Sequence, residues 1–374
     1  MNKKILFLTG TRADFGKIKS LIQILDANSG FEVHVFVTGM HLQQEYGYTL
    51  IEIERCNFNN VHTFQNHTHE TTMDLTLAKT IEGLSAYCKE LHPNMIVVHG
   101  DRVETLAGAI VGSLNNILVA HIEGGELSGT VDELIRHSVS KLSHVHFVSN
   151  EEAAKRLLQM GEIEESIYTI GSPDIDIMFS ENLPDLETVK KYYEIDFREF
   201  AIVLFHPVTT EANEMKKYAE NFVAALQNDQ HNYVVIYPNN DLGSQSIIQE
   251  YSKLKDNNRF RVFPSLRFEY FLTLLKNAQF IIGNSSAGIR EAPYYGIPTI
   301  NIGTRQQNRV VNAAILNTNY SFESIVDVLN KIDTYKIKER ESDFGSGNST
   351  ALFLQCLQKS DIWQLNHQKQ FRDS

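Results

Sequence analysis

The chain is short of cysteine and has no cysteine pattern. Cys56, Cys88 and Cys356 are its only three, and they are far apart. Their spacing fits neither a zinc site nor a redox motif, and a sparse, odd count suits a reducing, cytoplasmic setting. Positive charge is also short: 34 Lys and Arg against 46 Asp and Glu leave a formal net charge of −12. Nucleic acid and anionic membranes both reward basic patches, so neither is expected as a partner. No apolar run is long enough to span a bilayer. The opening MNKKILFLTGTR has too short an apolar stretch for a signal segment and reads as a first strand. The chain also lacks G-x-G-x-x-G and Walker patterns after a strand, which removes the usual dinucleotide and P-loop readings. What remains is 374 residues of ordinary globular composition, 42% hydrophobic and 21% charged, enough for two domains with full cores. A phosphate bound by so acidic a chain would need local arginines, helix N-termini and backbone amides.

The chain is organised around residues 95–137. An apolar run, Met95 to Val98, stops at His99-Gly100-Asp101; a small-residue helical stretch follows; a second run, Ile117 to Ile122, stops at Glu123-Gly124-Gly125. Strand, helix and strand in about 28 residues make a βαβ unit with parallel strands and a right-handed crossover. Parallel strands end on one edge of the sheet, where open α/β sheets bind ligands. Asp101 and Glu123 follow these strands directly, beside glycines that let a substrate approach the backbone. Asp132 opens the next amphipathic helix, where the dipole favours a carboxylate. Each acid taken singly also reads as a plain helix cap. Three acids aimed at one edge, two of them flanked by glycine, read as an active site.

Around this centre the pattern alternates. Lys4 to Leu8 is a strand, and Thr9 to Gly16 is a loop leading into a helix from Lys17; Arg12 and Lys17 are candidate phosphate contacts or solvated loop charges. A second strand runs from Glu32 to Thr38. Residues 42–72 read as an irregular loop over the site, and its His67-x-His69 pair has no third metal ligand at useful spacing. Residues 74–91 form an amphipathic helix, and strands near 144–149 and 166–170 complete a first domain ending at residue 173. Residues 174–351 form a second one. There, strand Ala201 to Phe205 stops at His206, and strand Phe280 to Ile282 stops at Gly283-Asn284-Ser285-Ser286-Ala287-Gly288 before a helix from about Ile289. Ser285, Ser286 and the amides through Gly288 read as an anion cradle or as a simple capped turn, with Arg290 and Glu291 just beyond for charge and ribose contacts. Aromatic residues from Phe263 to Phe271 suit a base, although Phe271, Leu272 and Leu275 at helical spacing also suit a core. The expectation is two Rossmann-like α/β domains facing a cleft, carboxylates from one and a phosphate seat from the other.

Five segments match one family in order: Gly10 to Lys17 (GTRADFGK), His99 to Arg102, His121 to Glu126, Asp132 to His137, and Gly283 to Pro293. The chain resembles the UDP-N-acetylglucosamine 2-epimerases over residues 4 to about 310, and in particular their hydrolysing branch in bacterial sialic-acid and capsule synthesis. The Thr-Arg-Ala-Asp-Phe-Gly segment carries that distinction, since non-hydrolysing members have a Thr-Arg-Pro-Glu type sequence. The resemblance implies a glycosyltransferase-B fold, a C-terminal helix at about 352–374 crossing back to the first domain, and a homodimer or homotetramer. It implies cofactor-free and metal-free release of UDP, with N-acetylmannosamine formed through 2-acetamidoglucal. By the same resemblance, Asp101, Glu123 and Asp132 are the catalytic acids, and Arg12, His206, Ser285, Ser286 and Glu291 hold the nucleotide. Close relatives use UDP-2,4-diacetamido-2,4,6-trideoxyglucose or a GDP-linked sugar. A glycosyltransferase, a non-hydrolysing epimerase and a turnover-free nucleotide-sugar sensor are the rival readings.

Overall fold

The apolar runs form parallel strands and the amphipathic stretches between them form helices. The computed structural model describes residues 2–67, 72–128, 130–306, 314–335, 337 and 344–370. Two units emerge. The first comprises residues 1–126, 132–180 and 343–374, and the second residues 127–131 and 181–342.

The first unit runs β1 (Lys3–Thr9), α1 (Arg12–Asp26), β2 (Phe31–Val37), α2 (Leu50–Glu54), β3 (Val61–Thr63), α3 (Met73–Leu91), β4 (Met95–His99), α4 (Val103–Leu114), β5 (Leu118–Ile122), α5 (Val131–Leu142), β6 (Val145–Val148), α6 (Glu151–Gln159), β7 (Ile167–Thr169) and α7 (Pro173–Met178). Its strands order as β3-β2-β1-β4-β5-β6-β7, all parallel. Strands β4 and β5 are fully buried along their length, as their uninterrupted apolar runs require. The order reverses direction between β1 and β4, the position at which such sheets open a crevice.

The second unit runs α8 (Leu186–Tyr192), β8 (Ala201–Leu204), α9 (Met215–Asn228), β9 (Tyr233–Ile236), α10 (Ser244–Ser252), β10 (Phe260–Phe263), α11 (Phe268–Lys276), β11 (Ile281–Gly283), α12 (Glu291–Tyr295), β12 (Thr299–Ile302), β13 (Ile315–Thr318) and α13 (Phe322–Ile332). Its sheet, β10-β9-β8-β11-β12-β13, is again parallel and reverses between β8 and β11.

Several boundaries differ from the sequence reading, each for a local reason. Helix α1 starts at Arg12, five residues before Lys17. Thr11 caps it, accepting from the Asp14 N–H at 3.2 Å, while Asp14 accepts from the Thr11 N–H at 3.3 Å. Residues 42–67 are not one irregular loop: α2 forms, and β3 pairs with β2 through Val35 and Val61. His67 is half-buried there, and His69 lies outside the described residues. The division falls after Ser180 rather than residue 173, because α7 packs on α1. The C-terminal helix, α14 (Ser349–Gln358), ends far short of 374 and is followed by a 3-10 turn at Asp361–Gln364. It belongs to the first unit. Phe353 is fully buried there, 4.8 Å from the Phe147 ring and 6.4 Å from that of Phe7, a burial that stabilises by about 2–3 kcal/mol. Among the described residues, no helix is long and apolar enough to cross a membrane.

Candidate active site

In the first unit the switch point collects ionisable groups. Asp101 follows β4 and Glu123 follows β5, neighbours in register through His99 and Ile122. One guanidinium ties them: Arg136, 3% exposed on α5, donates from Nη2 to Asp101 Oδ2 and from Nη1 to the Glu123 carbonyl. Asp132 stands one turn before Arg136 on the same helix, so the i,i+4 spacing puts both on one face. Glu123 has a left-handed backbone at φ +62°, an uncommon conformation for a residue with a Cβ, and strain of this kind is concentrated at functional sites. Its N–H donates to the Phe147 carbonyl at 2.9 Å, which holds that turn against β6.

The Glu123 carboxylate is buried among donors. Ser172 Oγ donates to Oε1, and Lys17 Nζ lies 4.0 Å from the same oxygen. His99 Nε2 lies 3.2 Å from Oε2, at charge-pair distance but without hydrogen-bond geometry. Lys17 itself pairs with the fully buried Asp174 at 2.9 Å. Lys17, expected at a phosphate, is therefore turned into the protein, and Arg12 lies 3.7 Å from Glu52. His121 braces the turn after β4. It is fully buried, its Nε2–H donates to the Gly100 carbonyl at 2.8 Å, and burial pushes its pKa down to about 3, so it stays neutral.

In the second unit the switch point is held by amides. Asn284, 1% exposed, accepts from the His206 N–H at 2.6 Å and donates to the His206 carbonyl at 2.9 Å. This side chain continues the β8–β11 ladder one step past the strands. Gly283 makes the approach possible at φ +142°, for a Cβ there would penetrate the Leu204 carbonyl. His206 Nδ1 accepts from the Asn239 N–H at 3.0 Å, which leaves the ring proton on Nε2 as a donor. Ser285 caps a 3-10 turn, Ser286–Gly288, and accepts from the Ala287 N–H at 3.3 Å.

The helix expected from about Ile289 begins at Glu291. Helix α12 has five residues, ending at Gly296 in the left-handed region, so its dipole is small. Gly288 is pinned by Thr299, whose hydroxyl donates to its carbonyl at 2.6 Å. Glu291 and Arg290 are buried at 3% and 4% exposure. Phe271 lies on the packed face of α11 with Leu272 and Leu275, the core alternative of the sequence reading. Sequence reasoning gave no role to Arg136, Ser172, Asp174, His99 or Asn284. Arg136 had a local signal, four residues after Asp132 on a predicted helix, and His99 and Asn284 stand where apolar runs stop; Ser172 and Asp174 had none.

The family model described as UDP-N-acetylglucosamine 2-epimerase matches residues 23–358. The chain belongs to this family. Its relatives include a UDP-N-acetylglucosamine 2-epimerase of Neisseria meningitidis serogroup B, 48% identical over 374 residues and 99% of both chains. A UDP-N,N'-diacetylbacillosamine 2-epimerase (hydrolyzing) of Legionella pneumophila is 31% identical over 96% of each. Among solved structures, the UDP-GlcNAc 2-epimerase of Methanocaldococcus jannaschii, in complex with UDP-GlcNAc and UDP, superposes with a TM-score of 0.81 at 22% identity. That superposition covers 95% of this chain and 99% of the other. As a 2-epimerase family member the chain is an enzyme, and its two parallel-sheet units are those of a glycosyltransferase-B-like fold.

Proposed function

We propose that this epimerase hydrolyses UDP-N-acetylglucosamine to N-acetylmannosamine and UDP, without metal or cofactor, for sialic-acid or capsule synthesis. The observation that carries the reading is the pairing of Asp101 and Glu123 through Arg136 at the first sheet's switch point. The Neisseria relative, a UDP-N-acetylglucosamine 2-epimerase, supports the substrate, and the Legionella relative, a hydrolyzing 2-epimerase, supports the hydrolytic outcome.

The chemistry follows from the weak acidity of the sugar's C2–H. Simple deprotonation is too costly, so C1–O cleavage runs ahead, and positive character at C1 acidifies C2–H. Asp101, kept ionised by Arg136, takes that proton as UDP leaves with the C1–O electron pair, giving 2-acetamidoglucal. Charge developing on the diphosphate is met by the Nε2–H of His206 and the Ser285–Gly288 turn, donors that supply about 3 kcal/mol each when preorganised. Glu123, buried and able to hold a proton, delivers it to C2 from the opposite face. Water adds its hydroxyl to C1 and gives its proton to Asp132. Of the two protons now on Asp101 and Asp132, one returns to Glu123 and the other leaves with solvent.

Proton NMR in D2O tests this. Free UDP with N-acetylmannosamine deuterated at C2 is expected. Intact UDP-N-acetylmannosamine would mean the non-hydrolysing reaction. Turnover of UDP-2,4-diacetamido-2,4,6-trideoxyglucose or a GDP-linked sugar alone would move the substrate and keep the chemistry. The same reading carries a homodimer or homotetramer, which sedimentation velocity checks.

A further inference from the structure

The cradle turn of the second unit is held from behind by a side chain that no step of the reaction uses. Gln306, 4% exposed, donates from Nε2 to the Asn284 carbonyl at 2.9 Å, and Arg305 donates from Nη1 to the same oxygen at 3.3 Å. An amide buried to that degree spends its donors on protein. The segment that carries it is fixed in turn. The Gly303 N–H donates to the Thr318 carbonyl at 2.8 Å, and the Thr304 N–H donates to the Tyr320 hydroxyl at 3.3 Å. The Thr304 hydroxyl donates to Glu211 Oε1 at 2.6 Å. Gly303 has φ +74°, and a Cβ there would enter the Tyr320 ring, so only glycine lets the chain turn this closely. The loop after β12 is thereby tied through Glu211 to the loop after β8, and through Asn284 to the turn after β11.

We infer that Gln306 is a positioning residue: it holds the Asn284 carbonyl so that the Ser285 N–H, across the same peptide, faces the diphosphate. This rests on the reading of the Ser285–Gly288 turn as the diphosphate seat. A trans peptide is planar, with its C=O and N–H on opposite sides, so a tie on one fixes the direction of the other. The rest of Asn284 is already held. Its N–H donates to the Leu204 carbonyl at 3.0 Å, and its side chain bonds both the N–H and the carbonyl of His206. The torsions left are ψ of Asn284 and φ of Ser285, and turning them would present the carbonyl oxygen to the diphosphate in place of the N–H. That oxygen repels the anion that the N–H attracts, so the orientation of this one peptide sets the sign of the contact. Donors on the carbonyl keep the attractive orientation before the nucleotide arrives, which is preorganisation.

The experiment compares affinities of the full chain for UDP, by calorimetry, and for uridine, by NMR titration. Gln306→Met keeps the length of the side chain and removes its donor. UDP should bind it about tenfold more weakly, while uridine, which has no phosphate, binds as before. A merely structural residue would lower both affinities alike, or only the unfolding temperature. UDP affinity unchanged, or uridine lost in the same proportion, overturns the inference. Ser285 has φ −75° and ψ 147°, which proline can adopt, so Ser285→Pro removes the N–H and Ser285→Ala controls for the hydroxyl. UDP should bind about tenfold more weakly to Ser285→Pro than to Ser285→Ala, and adding Gln306→Met to Ser285→Pro should cost nothing more. A further loss in that double variant would mean that Gln306 acts by another route, and its role would fall. Equal UDP affinity in Ser285→Pro and Ser285→Ala would instead remove this amide from the diphosphate, and with it the reading on which the inference rests. If Gln306→Met does not fold, Gln306→Glu at pH 8 keeps the shape and sets an acceptor against the carbonyl; undiminished UDP affinity there is again fatal.

Discussion

At the switch point of the first sheet the candidate site is built from ionisable side chains held by side-chain partners: Asp101 by Arg136, Glu123 by Ser172, Lys17 by Asp174. At the switch point of the second sheet the turn is held by neutral amides and main chain, with Asn284 clamping His206 and Asn239 fixing its tautomer. The two topologies are alike, so the fold does not set this difference. Proton transfer needs groups whose charge can change and whose neighbours decide when it does. Holding a diphosphate needs donors that never change. Mutations should therefore act on rate in the first unit and on affinity in the second.

The sharpest break comes from the acids. Glu123→Gln and Asp101→Asn should each lower kcat by about a thousandfold or more, the range of general acid–base catalysis, with UDP affinity retained. UDP binding by calorimetry beside turnover by NMR checks both halves. If UDP affinity fell as far as turnover, the division of labour between the units would be wrong.

Next is the clamp. Asn284→Ala removes two hydrogen bonds to the half-buried main chain of His206, a cost of about 2–4 kcal/mol. Thermal unfolding should show it as a lowered transition. A smaller effect is expected for His206→Phe, which keeps ring volume but removes the Nε2 donor. UDP should bind about tenfold more weakly, the worth of one hydrogen bond to a charged group, with the C2 isotope exchange rate at saturation less affected. Unchanged UDP affinity would remove His206 from the diphosphate.

How much of this could be read beforehand follows the range of the interactions. Asp101 and Glu123 were legible because each ends an apolar run beside a glycine, a pattern contained in five or six residues. Their restraints were not. Ser172 reaches Glu123 across 49 positions of sequence, and Asn284 reaches His206 across 78. No local periodicity encodes such pairs. The sequence pattern puts Lys17 at a loop end because it does not reveal the Thr11–Asp14 capping box. Starting α1 at Arg12 puts Lys17 inside the second turn, on a buried face, rather than at a loop end. The turn after β11 was legible as a strand end followed by small residues, and so was the start of α12, but its length was not. Pro293 and Gly296 confine α12, and β12 follows it after Gly296-Ile297-Pro298.

The mildest test of the comparison is pH. In the first unit His41 and His121 are fully buried, and desolvation pushes both down to about 3 from an ordinary 6.5. Burial lowers His144 and His146 as well. A histidine depressed in the folded state binds fewer protons than it does unfolded. Its contribution is therefore complete above 6.5 and is lost as pH falls toward the folded value. In the second unit His231 moves the other way, raised chiefly by its hydrogen bond to Asp229. Its contribution is fully present below 6.5 and fades as pH rises through its folded value. Between pH 7 and 6, the first unit should lose about 1 kcal/mol through His41 and His121, while the second loses nothing through His231. Hydrogen exchange by mass spectrometry, corrected for intrinsic rates, resolves this by region. Peptides covering β4 and β5 should exchange faster at pH 6, and those covering β8 and β9 should not. Equal change in both would mean that the ionisable character of the first unit is confined to its site, and that buried histidine does not set the stability of the sheet beneath it.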